Sequence, residues 1–194
     1  MRNKAVFFDR DGIINIDKGY VSDSDDFEFV DGIHALIRHI NSKKLQCIVV
    51  TNQSGIARGM YSVEQFKRLT QWMVDTLLSD AAIIDDVYFC PHHPSAGDTT
   101  NTRLCICRKP QPGMLFFASI EHDIDLTQSI MIGDSERDIK AAIIANLKQA
   151  IWVTNTSDPL ALERLHYTKE AYQADTQITI VPTVSSILPT LQID

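Results

Sequence analysis

Six short apolar runs punctuate the chain: AVFF (5–8), CIVV (47–50), VYF (87–89), SIMI (129–132), QAIWV (149–153) and ITIV (178–181). Each is apolar at consecutive positions and rich in β-branched or aromatic residues, which predicts strands buried on both faces of a parallel sheet. Between them the spacing turns helical. Ile33, Leu36, Ile37 and Ile40 share one face behind Asp31, a candidate cap. Phe66, Leu69, Met73 and Leu77 follow SVEQ at Ser62, which has the form of a capping box. KPQPGMLFFASIEH places Pro112 near a helix start, and DSERDIKAAIIAN starts another helix near Ser135. Strands alternating with helices predict an α/β, doubly wound, mostly parallel sheet in a single domain over residues 1–194. Right-handed crossovers would gather the carboxyl ends of the strands at one edge. Two stretches break the pattern. Residues 90–112 form a long loop with no apolar period, and residues 155–175 read as a polar loop with some helix.

The strand ends carry the candidate chemistry. Asp9, Thr51 and Asp134 directly follow the first, second and fourth runs, so the sheet sets all three at one edge. Carboxylates suit a hard cation such as Mg²⁺. Thr51 and Asn52 offer a hydroxyl, an amide and backbone N–H groups for phosphate oxygens, and Lys109 offers a point charge. Together they describe a phosphoryl-transfer site. Asp9 can attack phosphorus and Asp11 can serve as general acid and base, which requires the surroundings to hold a proton on Asp11 for the first step. Asp138 stands three residues past Ser135, where either a cap partner or a support for the site would stand.

The cysteines add a second metal. Cys47 sits inside an apolar run, as a core residue would, whereas Cys90, Cys105 and Cys107 share the long loop with His92 and His93. The pattern C-x-H-x12-C-x-C supplies four ligands for a closed, structural Zn²⁺, with the loop (about 90–108) pinned just before Arg108 and Lys109.

Charge and hydropathy narrow the partners. A net charge of -7 argues against a general nucleic-acid or membrane-surface binder. No apolar run approaches the ~20 residues of a membrane span, and the start MRNKAVFF lacks a secretory pattern, so a cytoplasmic location is expected. The expected partner is a small molecule, and the chain is expected to act as a monomer.

FFDRDGIIN, VVTNQSG, CRKPQPGM and IGDSERD, in that order, resemble the four motifs of the haloacid dehalogenase superfamily of phosphohydrolases. More narrowly, DKGYV, TNQSGIARGMY, VYFCPHHP and CICRKPQPGML resemble the D-glycero-D-manno-heptose 1,7-bisphosphate 7-phosphatases. The resemblance implies Asp9 as nucleophile and Asp11 as acid/base. It implies Mg²⁺ on Asp9, Asp134 and the Asp11 backbone carbonyl, and it favours His92 over His93 on the zinc. It further implies Thr51 and Lys109 on the transferring group and Arg108 in substrate recognition. Thr51, Asn52, Gln53 and Ser54, with the flap Asp17, Lys18, Gly19 and Tyr20, would surround a sugar bisphosphate; Ser135 and Asp138 would support the site. Neither gap between motifs holds an inserted domain, so an open site is expected, with the flap and zinc loop as its walls. Two alternatives remain at this stage: a histidinol-phosphate phosphatase, and a zinc-stapled binding module without catalysis.

Overall fold

A computed structural model of the chain describes residues 2–97, 100–155 and 158–191. Its centre is one six-stranded sheet: β1 (Ala5–Phe8), β2 (Gln46–Asn52), β3 (Asp86–Cys90), β4 (Ile130–Gly133), β5 (Gln149–Val153) and β6 (Gln177–Val181). All pairings are parallel and the order is β3-β2-β1-β4-β5-β6. The four inner strands are almost wholly buried, which is why their runs are apolar at consecutive positions. The edge strands β3 and β6 are half exposed.

Alternate residues of each strand feed opposite faces. Val6, Phe8, Cys47, Val49, Ile130 and Ile132 pack with α1 (Ile33–Ser42) and α3 (Val63–Ser79). Phe7, Ile48, Val50, Met131, Ala150 and Trp152 pack with α4 (Gly113–Glu121), α5 (Glu136–Ile144) and α6 (Pro159–Tyr172). A one-turn helix α2 (Ser54–Ala57) follows β2. Chain order reverses between β1 and β4, the place where such sheets open a crevice beyond the strand ends. Phe8 pairs with both Val49 and Ile132, so Asp9 and the ends of β2 and β4 arrive at the same level. Between β1 and α1 the described chain forms only a short 3-10 turn (Ser24–Asp26), with no inserted domain.

Helix starts follow local chemistry with one exception. Ser62 and Gln65 form the reciprocal capping box of α3. Asp31 does not cap α1: Gly32 occupies the cap in a left-handed conformation (φ 83°), and the Asp31 carboxylate accepts from the Ser185 hydroxyl at 3.0 Å. The expected cap is therefore spent on a tertiary tie to the C-terminal turn.

Within the stretch 155–175, expected to be a loop with some helix, the described residues 158–175 are mostly the helix α6. Asp158 caps α6, accepting from the Leu160 N–H at 3.0 Å, and Pro159 takes the first turn. Only Ala161 and Leu165 of this helix are buried, too few to write an apolar stripe, while Leu160, Tyr167 and Tyr172 face outward. Arg164 holds the helix to α5 through two bonds to Glu136, at 2.9 and 2.7 Å.

Leu165 is thus the main apolar anchor of α6. Leu165→Ala should cost about 2–5 kcal/mol in urea unfolding, with early loss of amide protection along α6; an unchanged midpoint would show that α6 docks by its ion pairs.

Candidate active site

The site begins where β1 stops. The Asp9 N–H still donates to the Ile132 carbonyl at 3.0 Å, so its carboxylate is carried out at the sheet edge in a fixed direction. One oxygen accepts from the Arg10 N–H at 2.7 Å and the other lies 3.0 Å from the Lys109 ammonium. Asp134 follows β4, and its carbonyl accepts from the Trp152 indole at 2.9 Å. Gly12, at φ 85°, brings the loop after Asp11 so close to Asp134 that any Cβ would collide with its carboxylate.

Lys109 is buried, and its ammonium meets Asp138 at 2.6 Å, Asp9 at 3.0 Å and the Val50 carbonyl at 2.7 Å. The ammonium thus donates to one carbonyl and lies at ion-pair distance from two carboxylates. Asp138 is itself fully buried and divides its oxygens: Oδ1 faces Lys109, while Oδ2 accepts from the Ser135 N–H (3.0 Å) and hydroxyl (2.6 Å). It is both the cap partner and the lysine's support. Asn52 clamps the backbone of Lys109 from the other side, accepting from its N–H at 3.0 Å and donating to its carbonyl at 3.1 Å.

Asp9, Asp134 and Asp138 present carboxylate oxygens within 4.8 Å of one another, against the single ammonium of Lys109. Burial pushes Asp9 up to about 8, with Asp138 and Asp11 adding to the rise and Lys109 opposing it. Burial and Asp138 push Asp134 to about 6. For Lys109, burial pulls its pKa down but Asp138 and Asp9 more than offset this, leaving it above its ordinary value. The imbalance of negative charge and the all-oxygen donor set fit a hard divalent cation such as Mg²⁺.

Asp11 sits in a nest of donors. Its Oδ1 accepts from Arg10 (2.8 and 3.2 Å) and Asn15 (3.1 Å), and its Oδ2 from Gln53 (3.0 Å). Among the described residues every hydrogen-bond neighbour of this side chain donates to it. The expectation that its surroundings hold a proton there finds no acceptor in this arrangement, and the side chain must turn out of the nest to act as an acid. Arg10 is buried, bonded also to the Val21 carbonyl (2.9 Å) and packed 5.6 Å from the Phe66 ring centroid. Gln53 donates to the Thr51 hydroxyl as well (2.8 Å), and its own carbonyl accepts from Tyr61 at 2.6 Å, which fixes the amide's orientation.

These groups open into a cleft of about 440 Å³. Asp9, Asp11, Asp134, Ser135 and Asp138 line one part, and Asn52, Gln53, Ser54, Asp17, Gly19 and Tyr20 line others. Thr51 and Lys109 lie buried behind the lining. Lys18 is not in the cleft; its ammonium pairs with Glu28 at 3.1 Å on the surface. Arg108 lines the cleft, as do Arg58, Tyr61, His93 and Arg137. Of these extra residues, Arg137 lies only three positions past Asp134, a placement the strand-end rule could have flagged. The burial of Arg10 carried no such signal.

The second cluster is Cys90, His92, Cys105 and Cys107, with ligand atoms within 4.8 Å of one another. Cys90 Sγ lies 3.1 Å from Cys107 Sγ and 3.5 Å from Cys105 Sγ, and His92 Nδ1 lies 3.3 Å from Cys107 Sγ. A tetrahedral zinc with ~2.3 Å bonds to sulfur spaces its ligands at roughly these distances. His93 stays outside: its Nδ1 accepts from the Ser95 and Ala96 N–H groups at 3.2 and 2.8 Å. The loop ends at Arg108, whose guanidinium donates to the His92 carbonyl at 3.0 Å.

Comparison with known proteins agrees with this geometry. Residues 106–178 match the HAD-hydrolase-like family profile. The chain is 46% identical to the D-glycero-beta-D-manno-heptose-1,7-bisphosphate 7-phosphatase of Photorhabdus laumondii, over 82% of this chain and 84% of the relative. It is 47% identical to the protein of the same name from Haemophilus influenzae, over 83% and 86%. The crystal structure of D,D-heptose 1,7-bisphosphate phosphatase from B. bronchiseptica, complexed with magnesium and phosphate, superposes with a TM-score of 0.76 at 26% identity, covering 96% of this chain and 97% of that one. The chain belongs to the D-glycero-beta-D-manno-heptose-1,7-bisphosphate 7-phosphatase family of HAD-like hydrolases.

Proposed function

We propose that this chain is a Mg²⁺-dependent phosphatase that removes the C7 phosphate from D-glycero-β-D-manno-heptose 1,7-bisphosphate and leaves the 1-phosphate. The observation that carries this reading is the convergence of Asp9, Asp134, Asp138 and buried Lys109 at the ends of β1 and β4, in a chain so close to phosphatases of that name.

In this mechanism an oxygen of Asp9 attacks phosphorus and the bond from phosphorus to the sugar oxygen breaks. Asp11 leaves its donors, takes a proton from solvent and gives that proton to the departing oxygen. Asp11 then takes a proton from water, the water oxygen attacks the aspartyl-phosphate, and phosphate departs with Asp9 restored. Asp9, Asp134 and the Asp11 backbone carbonyl would hold Mg²⁺, which when bound neutralises charge on the phosphoryl oxygens. Lys109 and Thr51 hold the phosphoryl group, while Lys109 also keeps Asp9 aimed. Asn52, Gln53 and Ser54, the flap residues Asp17, Gly19 and Tyr20, and Arg108 surround the sugar. Cys90, His92, Cys105 and Cys107 would hold a structural Zn²⁺ that fixes Arg108 and Lys109, which directly follow its last ligand. Among the described residues no helix is long and apolar enough to cross a membrane, and the four free cysteines suit the reducing cytoplasm. We place the enzyme there, acting as a monomer.

Asp9→Asn should lower phosphate release about 10³-fold or more while the protein still folds with a lowered melting temperature, because Asp138 and the Val50 carbonyl continue to hold Lys109. Release from the wild type that is faster with histidinol phosphate than with the heptose bisphosphate would overturn the substrate while leaving the chemistry.

Mg²⁺ binds the ionised carboxylates, and Asp9 and Asp134 are raised to about 8 and about 6. Raising the pH from 6 to 8 therefore populates the binding form, and affinity should rise by about tenfold or more with protons released on binding at pH 6. Calorimetry in two buffers of different ionisation heat reads both; equal affinity and no proton release would contradict the assigned ligands.

Wild-type protein should carry about one zinc per chain by elemental analysis. Cys107→Ser should lose the metal, melt earlier and turn over more slowly together, because the loop delivers Lys109. Full activity in the metal-free variant would separate the staple from the site.

A further inference from the structure

The mechanism proposed above moves Asp11 out of its nest and back in each turnover, so it depends on the nest keeping its shape while the side chain is away. Gln53 forms one wall. Its Nε2 donates to Asp11 Oδ2 at 3.0 Å and to the Thr51 hydroxyl at 2.8 Å, which uses both of its N–H bonds. At the other end of the amide, Oε1 accepts from the Tyr61 hydroxyl at 2.6 Å. The chemistry above gives Tyr61 no task, yet this tyrosine is only 6% exposed and packs with Ile56 and Phe66.

The chain makes room for its ring. A Cβ on Gly55 would collide with both the Tyr61 ring and its hydroxyl oxygen, so only glycine lets the backbone of α2 approach so closely. Burial pushes the Tyr61 hydroxyl up to about 12, against opposing effects of Arg10 and the Gly55 backbone, so the group keeps its proton and stays a donor. Tyr61 also directly precedes Ser62, the cap of α3, which ties the ring to a fixed helix start. Phe66, in the same cluster, lies 5.6 Å from the Arg10 guanidinium, and Arg10 holds the other Asp11 oxygen at 2.8 Å. One small apolar cluster thus supports both arms of the nest, Phe66 through Arg10 and Tyr61 through Gln53.

When Asp11 turns out, Gln53 loses one of its three partners. Held by the Thr51 hydroxyl alone, the amide would be free to follow Asp11, or to turn its carbonyl toward the returning carboxylate, where two acceptors repel. Held at Oε1 as well, it keeps an anchor at each end and waits in place.

We infer that Tyr61 is a positioning residue for proton transfer: by holding the Gln53 carbonyl it keeps the amide facing Asp11 and Thr51 throughout the catalytic cycle. This rests on the phosphatase reading proposed above.

The test compares wild type with Tyr61→Phe, which keeps the ring and removes one oxygen, on two substrates. The heptose bisphosphate has a sugar oxygen that needs a proton to leave, whereas para-nitrophenyl phosphate releases a phenolate that is stable without one. kcat/KM should fall about tenfold for the bisphosphate and less than about threefold for the aryl ester. A merely structural role would lower both alike. A double-mutant cycle with Gln53→Met, which keeps the side-chain length and removes the amide, asks whether Tyr61 acts through Gln53. In that background Tyr61→Phe should change kcat/KM less than about twofold. An unchanged ratio between the two substrates, or the same loss with and without the amide, would overturn the inference. Solvent exchange of the Gln53 side-chain amide, followed by NMR, reads the lock without turnover and should be about tenfold faster in Tyr61→Phe than in wild type. If wild type releases no phosphate from the bisphosphate while its amide is protected only in the presence of Tyr61, the lock stands and the substrate assignment falls. Equal exchange in both proteins would remove the lock as well.

Discussion

The buried ammonium of Lys109 organises this molecule. It ties the end of β1 through Asp9, the body of β2 through the Val50 carbonyl, and the start of α5 through Asp138. Removing one partner from such a buried pair typically costs about 3–5 kcal/mol, because the other charge is left stranded out of water. The same cation keeps the Asp9 carboxylate pointed into the cleft. Fold and chemistry are therefore held by one set of contacts, and the asymmetry of one cation against three carboxylates makes a bound metal the natural completion of the site.

Much of this was readable in the chain because parallel sheets obey a strict rule about where their strand ends point. Asp9, Thr51 and Asp134 could be placed together before any coordinates, and the Cys90–Cys107 spacing predicts the Cys/His cluster that the structure gathers. Other features have partners that no local pattern records. Asp31 was expected to cap α1 and instead meets Ser185, 154 positions further along. Asp138 could be read as a cap partner or as a support, and the structure uses one oxygen for each. Helix α6 is legible only as some helix within a polar loop, because only Ala161 and Leu165 turn inward. Arg10 looks like a surface arginine between two acids, yet it lies beneath the site, packed on Phe66.

The Cys/His loop and the reciprocal Asn52 clamp act on the same short segment from opposite sides. Cys107 precedes Arg108 and Lys109 in the chain, while the Asn52 amide grips the Lys109 backbone through its N–H and its carbonyl. A residue so long and flexible as lysine loses much rotamer freedom when it must sit among three acceptors. Fixing its backbone beforehand reduces that loss at the moment the site assembles, which gives a physical reason for a Cys/His cluster so near the buried lysine.

The short connection between β1 and α1 has a consequence for the fate of the covalent adduct. No inserted domain roofs the cleft among the described residues, so solvent has a direct path to a phosphorylated Asp9. On the proposed mechanism the readiest acceptor is then bulk water, present at far higher concentration than any sugar hydroxyl. An unroofed architecture of this kind biases the intermediate toward outright hydrolysis and away from handing its phosphoryl group to another metabolite.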